Sequence, residues 1–122
     1  MKRKHALIVC TIAVLIVAAA AYSYFRGDPA KIPSEKYDDF AKCLSARNVT
    51  MYGVTWCHVC GTQKEMFGDS FQYVNYVECT ENQELCKSKG VTSYPTWEIN
   101  GMLYVGLRAL NVLSSASGCQ LN

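Results

Sequence analysis

The chain has 122 residues, a formal net charge of +2 and 50% hydrophobic residues. Lys2, Arg3 and Lys4 account for the excess, since from His5 onward 9 basic residues stand against 10 acidic ones. The length allows one small domain with an appendage. The near-neutral bulk excludes the basic field that a nucleic-acid binder needs.

Residues 1–5 form a basic N-terminus, and residues 6–25, "ALIVCTIAVLIVAAAAYSYF", carry no charge. As a helix that run reaches about 30 Å, roughly the hydrocarbon thickness of a bilayer. The preceding cations predict a single-pass anchor with a cytoplasmic N-terminus and an extracytoplasmic, periplasmic domain. Tyr22, Tyr24 and Phe25 would sit at the far interface. A cleavable signal peptide is the alternative, with Ala19, Ala20 and Ala21 offering a small-residue site. Both readings export the domain. With Cys10 in the apolar run, six cysteines remain, and an even number suits an oxidising compartment.

Residues 26–33, "RGDPAKIP", read as a tether, and residues 34–122 as the domain. Ser34 could cap a helix through "SEKYDDFAKCLSARN", whose Tyr37, Phe40, Ala41 and Leu44 share one face. "VTMYGV" (49–54) is a buried strand, and a helix starts at the next cysteine pair and stops near Gly68. "FQYVNYVEC" (71–79) alternates like a strand. Thr80 and Gln83 make a capping box for a short helix over "ENQELCKSK", closed by Gly90. "PTWEI" and "MLYVG" flank Asn100–Gly101, a strong hairpin signal, and "RALNVLSSAS" is a last helix. The order α-β-α-β-α-β-β-α predicts an α/β fold with a four-stranded mixed sheet flanked by helices.

The chemistry centres on "TWCHVCGTQKEMFG" (55–68). If Cys57 opens the helix, the free backbone N–H groups and the macrodipole stabilise its thiolate and make it the nucleophile. Cys60 lies one turn on, facing inward, placed to resolve a mixed disulfide. A charged His58 would stabilise the thiolate further, and Trp56 offers an apolar platform. A structural zinc site needs about four ligands, and Cys79 and Cys86 lack the spacing to complete one with Cys57 and Cys60. No metal and no separate cofactor is therefore expected; the redox group is the Cys57–Cys60 disulfide itself. A second cue is "SYPTW": Pro95 starts a strand, and a cis Tyr94–Pro95 bond would turn Tyr94 main-chain groups toward the cysteines to pair with an extended substrate.

"W-C-x-x-C" after a strand, with "Y-P-T" and a hairpin behind, resembles the thioredoxin superfamily. "MYGVTWCHVCGTQKEMFG", "YVECT" and "LCKSKGVTSYPTWEINGMLYVG" are most similar to the thioredoxin-like domain fused to bacterial homologues of vitamin K epoxide reductase. The resemblance covers residues 37 to about 118. It implies a thioredoxin-like fold, a redox-active Cys57–Cys60 pair, a cis Pro95 and a role in making disulfides in exported proteins. It also implies that electrons pass to a membrane quinone reductase. One apolar segment stands where that family has a four-helix reductase, so the expected partners are exported protein thiols and a separate vitamin K epoxide reductase-like or other quinone-linked membrane protein. Family members also carry cysteines at the positions of Cys79 and Cys86. Two departures are evident: His58–Val59 lies between the cysteines where relatives more often have Pro then His, and "VTMYGV" lacks the buried acid of thioredoxins. Proton transfer from Cys60 would then fall to water, His58, Lys64 or Glu65.

For the remaining cysteines the preferred pairs are Cys79–Cys86 and Cys43–Cys119, with free thiols or a partner-facing relay cysteine as the alternative. Two rivals to an enzyme stay open on sequence alone: a non-catalytic thioredoxin-like binding module and a structural zinc protein.

Overall fold

The computed structural model describes residues 1–25 and 35–122. The tether at 26–33 and the proposed cap Ser34 lie outside the described residues. Helix α1, Lys2–Phe25, is long and apolar enough to cross a membrane, and none of its side chains is buried. In the compact unit after it, the elements are α2 (Asp38–Ala46), β1 (Thr50–Gly53), α3 (His58–Glu65), a 3₁₀ helix (Gly68–Tyr73), β2 (Asn75–Glu78), α4 (Gln83–Ser88), β3 (Thr96–Ile99), β4 (Met102–Val105) and α5 (Leu110–Ser117).

The four strands order as β2-β1-β3-β4. β1 and β2 run parallel, whereas β3 is antiparallel to both β1 and β4. The sheet is therefore mixed and flanked by helices, as the element order requires. Alternation along the strands divides the core. Val49, Met51, Trp97 and Ile99 join Phe40 and Leu44 of α2, Cys60 of α3 and Leu113 of α5 in the larger cluster. Tyr52 and Val54 turn the other way and meet Cys79, Cys86 and Val91. Asn100 (φ 51°) and Gly101 (φ 76°) are both left-handed, the pairing that a tight hairpin between β3 and β4 demands.

Three local expectations need correction. Residues 71–73 are not strand: the 3₁₀ helix carries Phe71 onto Phe67 and Tyr76, with ring centroids 5.9 Å apart in both pairs, and β2 begins only at Asn75. Aromatic packing over a short segment outweighs the alternation. The capping box of α4 does not form, because the Thr80 hydroxyl donates to Glu78 Oε1 at 2.7 Å, and Asn82 occupies the cap position with its side chain donating back to the Glu78 carbonyl at 2.9 Å instead of capping the helix. Helix α2 begins at Asp38 rather than near Ser34. The buried Ser70 accepts from the Tyr37 amide and donates to Asp38 Oδ1, which ties the start of α2 to the 3₁₀ helix.

Three disulfides fasten the unit: Cys43–Cys119, Cys57–Cys60 and Cys79–Cys86. The first ties α2 to the residue after the C-cap of α5, and the third closes the segment between β2 and α4.

Candidate active site

Cys57 is the N-cap of α3, in extended conformation, and its Sγ accepts the Cys60 amide at 3.1 Å. A thiolate released at this atom meets an N–H group and the positive end of the helix. The Cys57 amide is itself tied to the Val54 carbonyl at 3.1 Å, which fixes the turn out of β1. Cys57 is half-buried, whereas Cys60 is 1% exposed. The two sulfurs of one disulfide thus differ in access, so only Cys57 can be attacked from outside.

Strand register collects the other predicted residues at this end of the sheet. Tyr52 pairs with Thr96, so the peptide just before β3 continues alongside Gly53 and Val54, immediately upstream of the cysteines. That peptide, Tyr94–Pro95, is cis; Pro95 is buried and Tyr94 is 37% exposed. Trp56 is 76% exposed, and with Cys57, His58 and Glu65 it lines an open groove of about 330 Å3. His58 is the first residue of α3 and exposed. Among the described residues, no group of three or more His, Cys, Asp or Glu side chains is arranged to hold a metal ion.

Two further groups support the site and were not singled out in the sequence. Gln63, fully buried on α3, accepts from Trp97 Nε1 (3.1 Å) and the Arg108 amide (2.8 Å), and donates to the Arg108 carbonyl (2.9 Å). One side chain thereby locks the helix of the cysteine pair to β3 and to the segment before α5. The other group is on β2. Glu78, paired in register with Gly53, accepts from the Thr80 hydroxyl at 2.7 Å, the Tyr76 hydroxyl at 2.7 Å and the Thr55 amide at 3.2 Å. These bonds, that of Thr80 foremost, hold its carboxyl below the usual carboxylate range. Burial, and then Glu78, push the Tyr76 phenol well above its ordinary value. Lys64, one of the expected proton carriers, instead lies over the Tyr76 ring with Nζ 3.8 Å from its centroid. The signal for Glu78 was present in "NYVECT", where the strand period puts Tyr76 and Glu78 on one face.

A parallel β1–β2 pair, a disulfide at the start of the helix after β1 and an X–Pro peptide before an antiparallel β3 define a thioredoxin-like arrangement. Comparison of sequences agrees with that class. Thiol-disulfide oxidoreductase LTO1 of Arabidopsis thaliana is 31% identical to this chain over 139 aligned positions, which take in 91% of the chain and 36% of the relative. The chain thus spans about a third of the length of that curated relative. No protein-family model matches it.

Proposed function

We propose that this chain is a thiol–disulfide oxidoreductase that acts on exported proteins from a membrane anchor formed by residues 6–25, with its domain on the extracytoplasmic side. The observation that carries the reading is the asymmetry of the Cys57–Cys60 disulfide, one sulfur reachable at a helix N-terminus and the other buried beneath it. The relative's name supports the same chemistry.

In the oxidising direction a substrate thiolate attacks Cys57 Sγ. A substrate–Cys57 bond forms, the Cys57–Cys60 bond breaks, and Cys60 leaves with the electron pair and gains a proton. A second substrate thiolate then attacks the substrate sulfur of the mixed disulfide and releases Cys57 as thiolate. Two electrons have passed from the substrate dithiol to the cysteine pair. Trp56 and the Tyr94–Pro95 main chain hold the extended substrate over Cys57, and His58 stabilises the Cys57 thiolate when charged. A quinone-linked membrane reductase of the vitamin K epoxide reductase type removes the electrons. Cys43–Cys119 and Cys79–Cys86 are structural and take no part in the exchange.

The test is a Cys60→Ala variant expressed with its natural membrane. It should accumulate mixed disulfides through Cys57 with exported proteins and with an integral membrane protein, and the further Cys57→Ser change should abolish them. An empty trap refutes the exchange. Partners retained by Cys57→Ser through non-covalent contacts would instead mark a binding module, and stoichiometric bound zinc a structural metal protein.

A further inference from the structure

Gly53, the last residue of β1, leaves a notch in the wall of the site. A Cβ placed on it would lie 3.0 Å from the Tyr76 hydroxyl oxygen and 3.1 Å from Cys60 Sγ. The phenol oxygen and the buried sulfur therefore face the same small space, which glycine alone keeps open. Cys60 has almost no contact with solvent, yet its sulfur must lose or gain a proton in every exchange cycle. β1 supplies no carboxylate for this: its residues are Thr50, Met51, Tyr52 and Gly53.

We infer that Tyr76 and Glu78 form the proton path of Cys60, with the Tyr76 hydroxyl as the relay between the sulfur and the Glu78 carboxylate. The inference rests on the oxidoreductase reading and adds to it the group that serves the resolving cysteine. The Tyr76 hydroxyl already donates to Glu78 Oε2 at 2.7 Å, and its lone pairs remain free to accept. Glu78 is only half-buried and so exchanges protons with water. Its depressed pKa keeps it a carboxylate at neutral pH, and the raised pKa of Tyr76 keeps the phenol protonated. The charged groups in contact with the path are Glu78 from β2, which the Thr80 hydroxyl and the Thr55 amide also bond, and Lys64 from α3 with its Nζ over the phenol ring. Lys64 favours transient negative charge on the phenol oxygen.

In resolution of a mixed disulfide, the Cys60 S–H proton passes to Tyr76 Oη as the Oη–H proton passes to Glu78. The Cys60 sulfur bonds to Cys57 Sγ, the bond from Cys57 to the substrate sulfur breaks, and the electron pair leaves on the substrate thiolate. In the oxidising direction the path runs backwards. The departing Cys60 thiolate takes the Tyr76 Oη–H proton, and a proton drawn from water by way of the Glu78 carboxylate replaces it on the phenol oxygen.

The full chain, reduced and held in detergent micelles, is mixed rapidly with oxidised glutathione, quenched with acid and analysed by mass. Wild type should form a glutathionyl adduct on Cys57 and then release it as the Cys57–Cys60 disulfide closes. Tyr76→Phe keeps the ring and its contacts and loses only the hydroxyl. It should form the adduct at the wild-type rate but resolve it at least about tenfold more slowly at neutral pH. The deficit should close as pH rises and hydroxide takes the Cys60 proton directly. Glu78→Gln, which keeps a hydrogen-bond partner for Tyr76 but no base, should show the same pH-dependent lag. If both variants resolve the adduct at the wild-type rate with the wild-type pH profile, the relay is wrong. If wild type forms no adduct, or Cys57→Ser still forms and resolves one, the oxidoreductase reading fails instead.

Discussion

Removing the Cys43–Cys119 bridge should cost more stability than removing Cys79–Cys86. The bridges close loops with sequence separations of 76 and 7 residues. In the chain-entropy description, the longer loop restrains the unfolded chain by about 4.5 kcal/mol and the shorter by about 2.5 kcal/mol. Cys119 is buried in the larger core cluster and Cys79 and Cys86 in the smaller, so alanine leaves small voids of roughly 1 kcal/mol each in both variants and loop length alone separates them. The native anchors of the C-terminus survive the change: Arg47 still donates to the Ser117 carbonyl at 2.9 Å, and Ser114 to that of residue 119 at 2.6 Å. The folded geometry should therefore hold while the equilibrium shifts. The doubles Cys43→Ala/Cys119→Ala and Cys79→Ala/Cys86→Ala would be compared by urea unfolding under oxidising conditions, monitored by circular dichroism. The first should lose about 1–2 kcal/mol more than the second, and against a typical total of roughly 5–15 kcal/mol it approaches the edge of folding. Equal losses, or a larger loss for the short loop, would refute the loop-closure reasoning.

Gly53→Ala places a methyl against a ring carbon and the hydroxyl oxygen of Tyr76 and against the Cys60 sulfur, which must give way; this should cost about 1–3 kcal/mol in a melt and slow adduct resolution at Cys60. Gln63→Leu strands the Trp97 indole N–H and the Arg108 amide in the core; a loss of roughly 2–4 kcal/mol is expected, and a loss under about 1 kcal/mol would show that water replaces the amide. Glu98 accepts from Tyr52 at 2.6 Å and from Lys89 at 3.0 Å, and the Tyr52 bond foremost lowers its pKa from the usual 4.5. Its contribution is complete above that ordinary value and fades as pH falls through the lower folded one, so Glu98→Gln should flatten the acid limb of stability against pH. Tyr52 and Tyr76 are shifted upward, chiefly by burial. Their support is full below the unfolded tyrosine value near 10 and declines above it; in an ultraviolet phenolate titration these two should ionise last, with alkaline unfolding.

Much of the molecule is dictated by neighbours in sequence. Asn100–Gly101 permits a left-handed turn wherever it occurs, and Phe40, Ala41 and Leu44 share a helix face at any location. Cys57 and Cys60 meet because a helix turn brings residues three apart together. Where the local signal was ambiguous it misled. Phe71 and Tyr73 alternate like strand residues, yet the nearby Phe67 and Phe40 rings draw that segment into a 3₁₀ helix. Thr80 and Gln83 matched a cap, but Glu78 competed for the Thr80 hydroxyl.

The sequence by itself determined the apolar N-terminal helix, the element order and the closeness of Cys57 to Cys60, because each depends on chemistry within a few residues. Only the tertiary structure decided what surrounds Cys60. Gly53, Tyr76 and Glu78 meet through the parallel register of β1 with β2, Gln63 finds Arg108 across 45 positions, and Cys43 finds Cys119 across 76. Such contacts are set by how whole elements dock to bury the Trp97 core, and no local pattern encodes that docking.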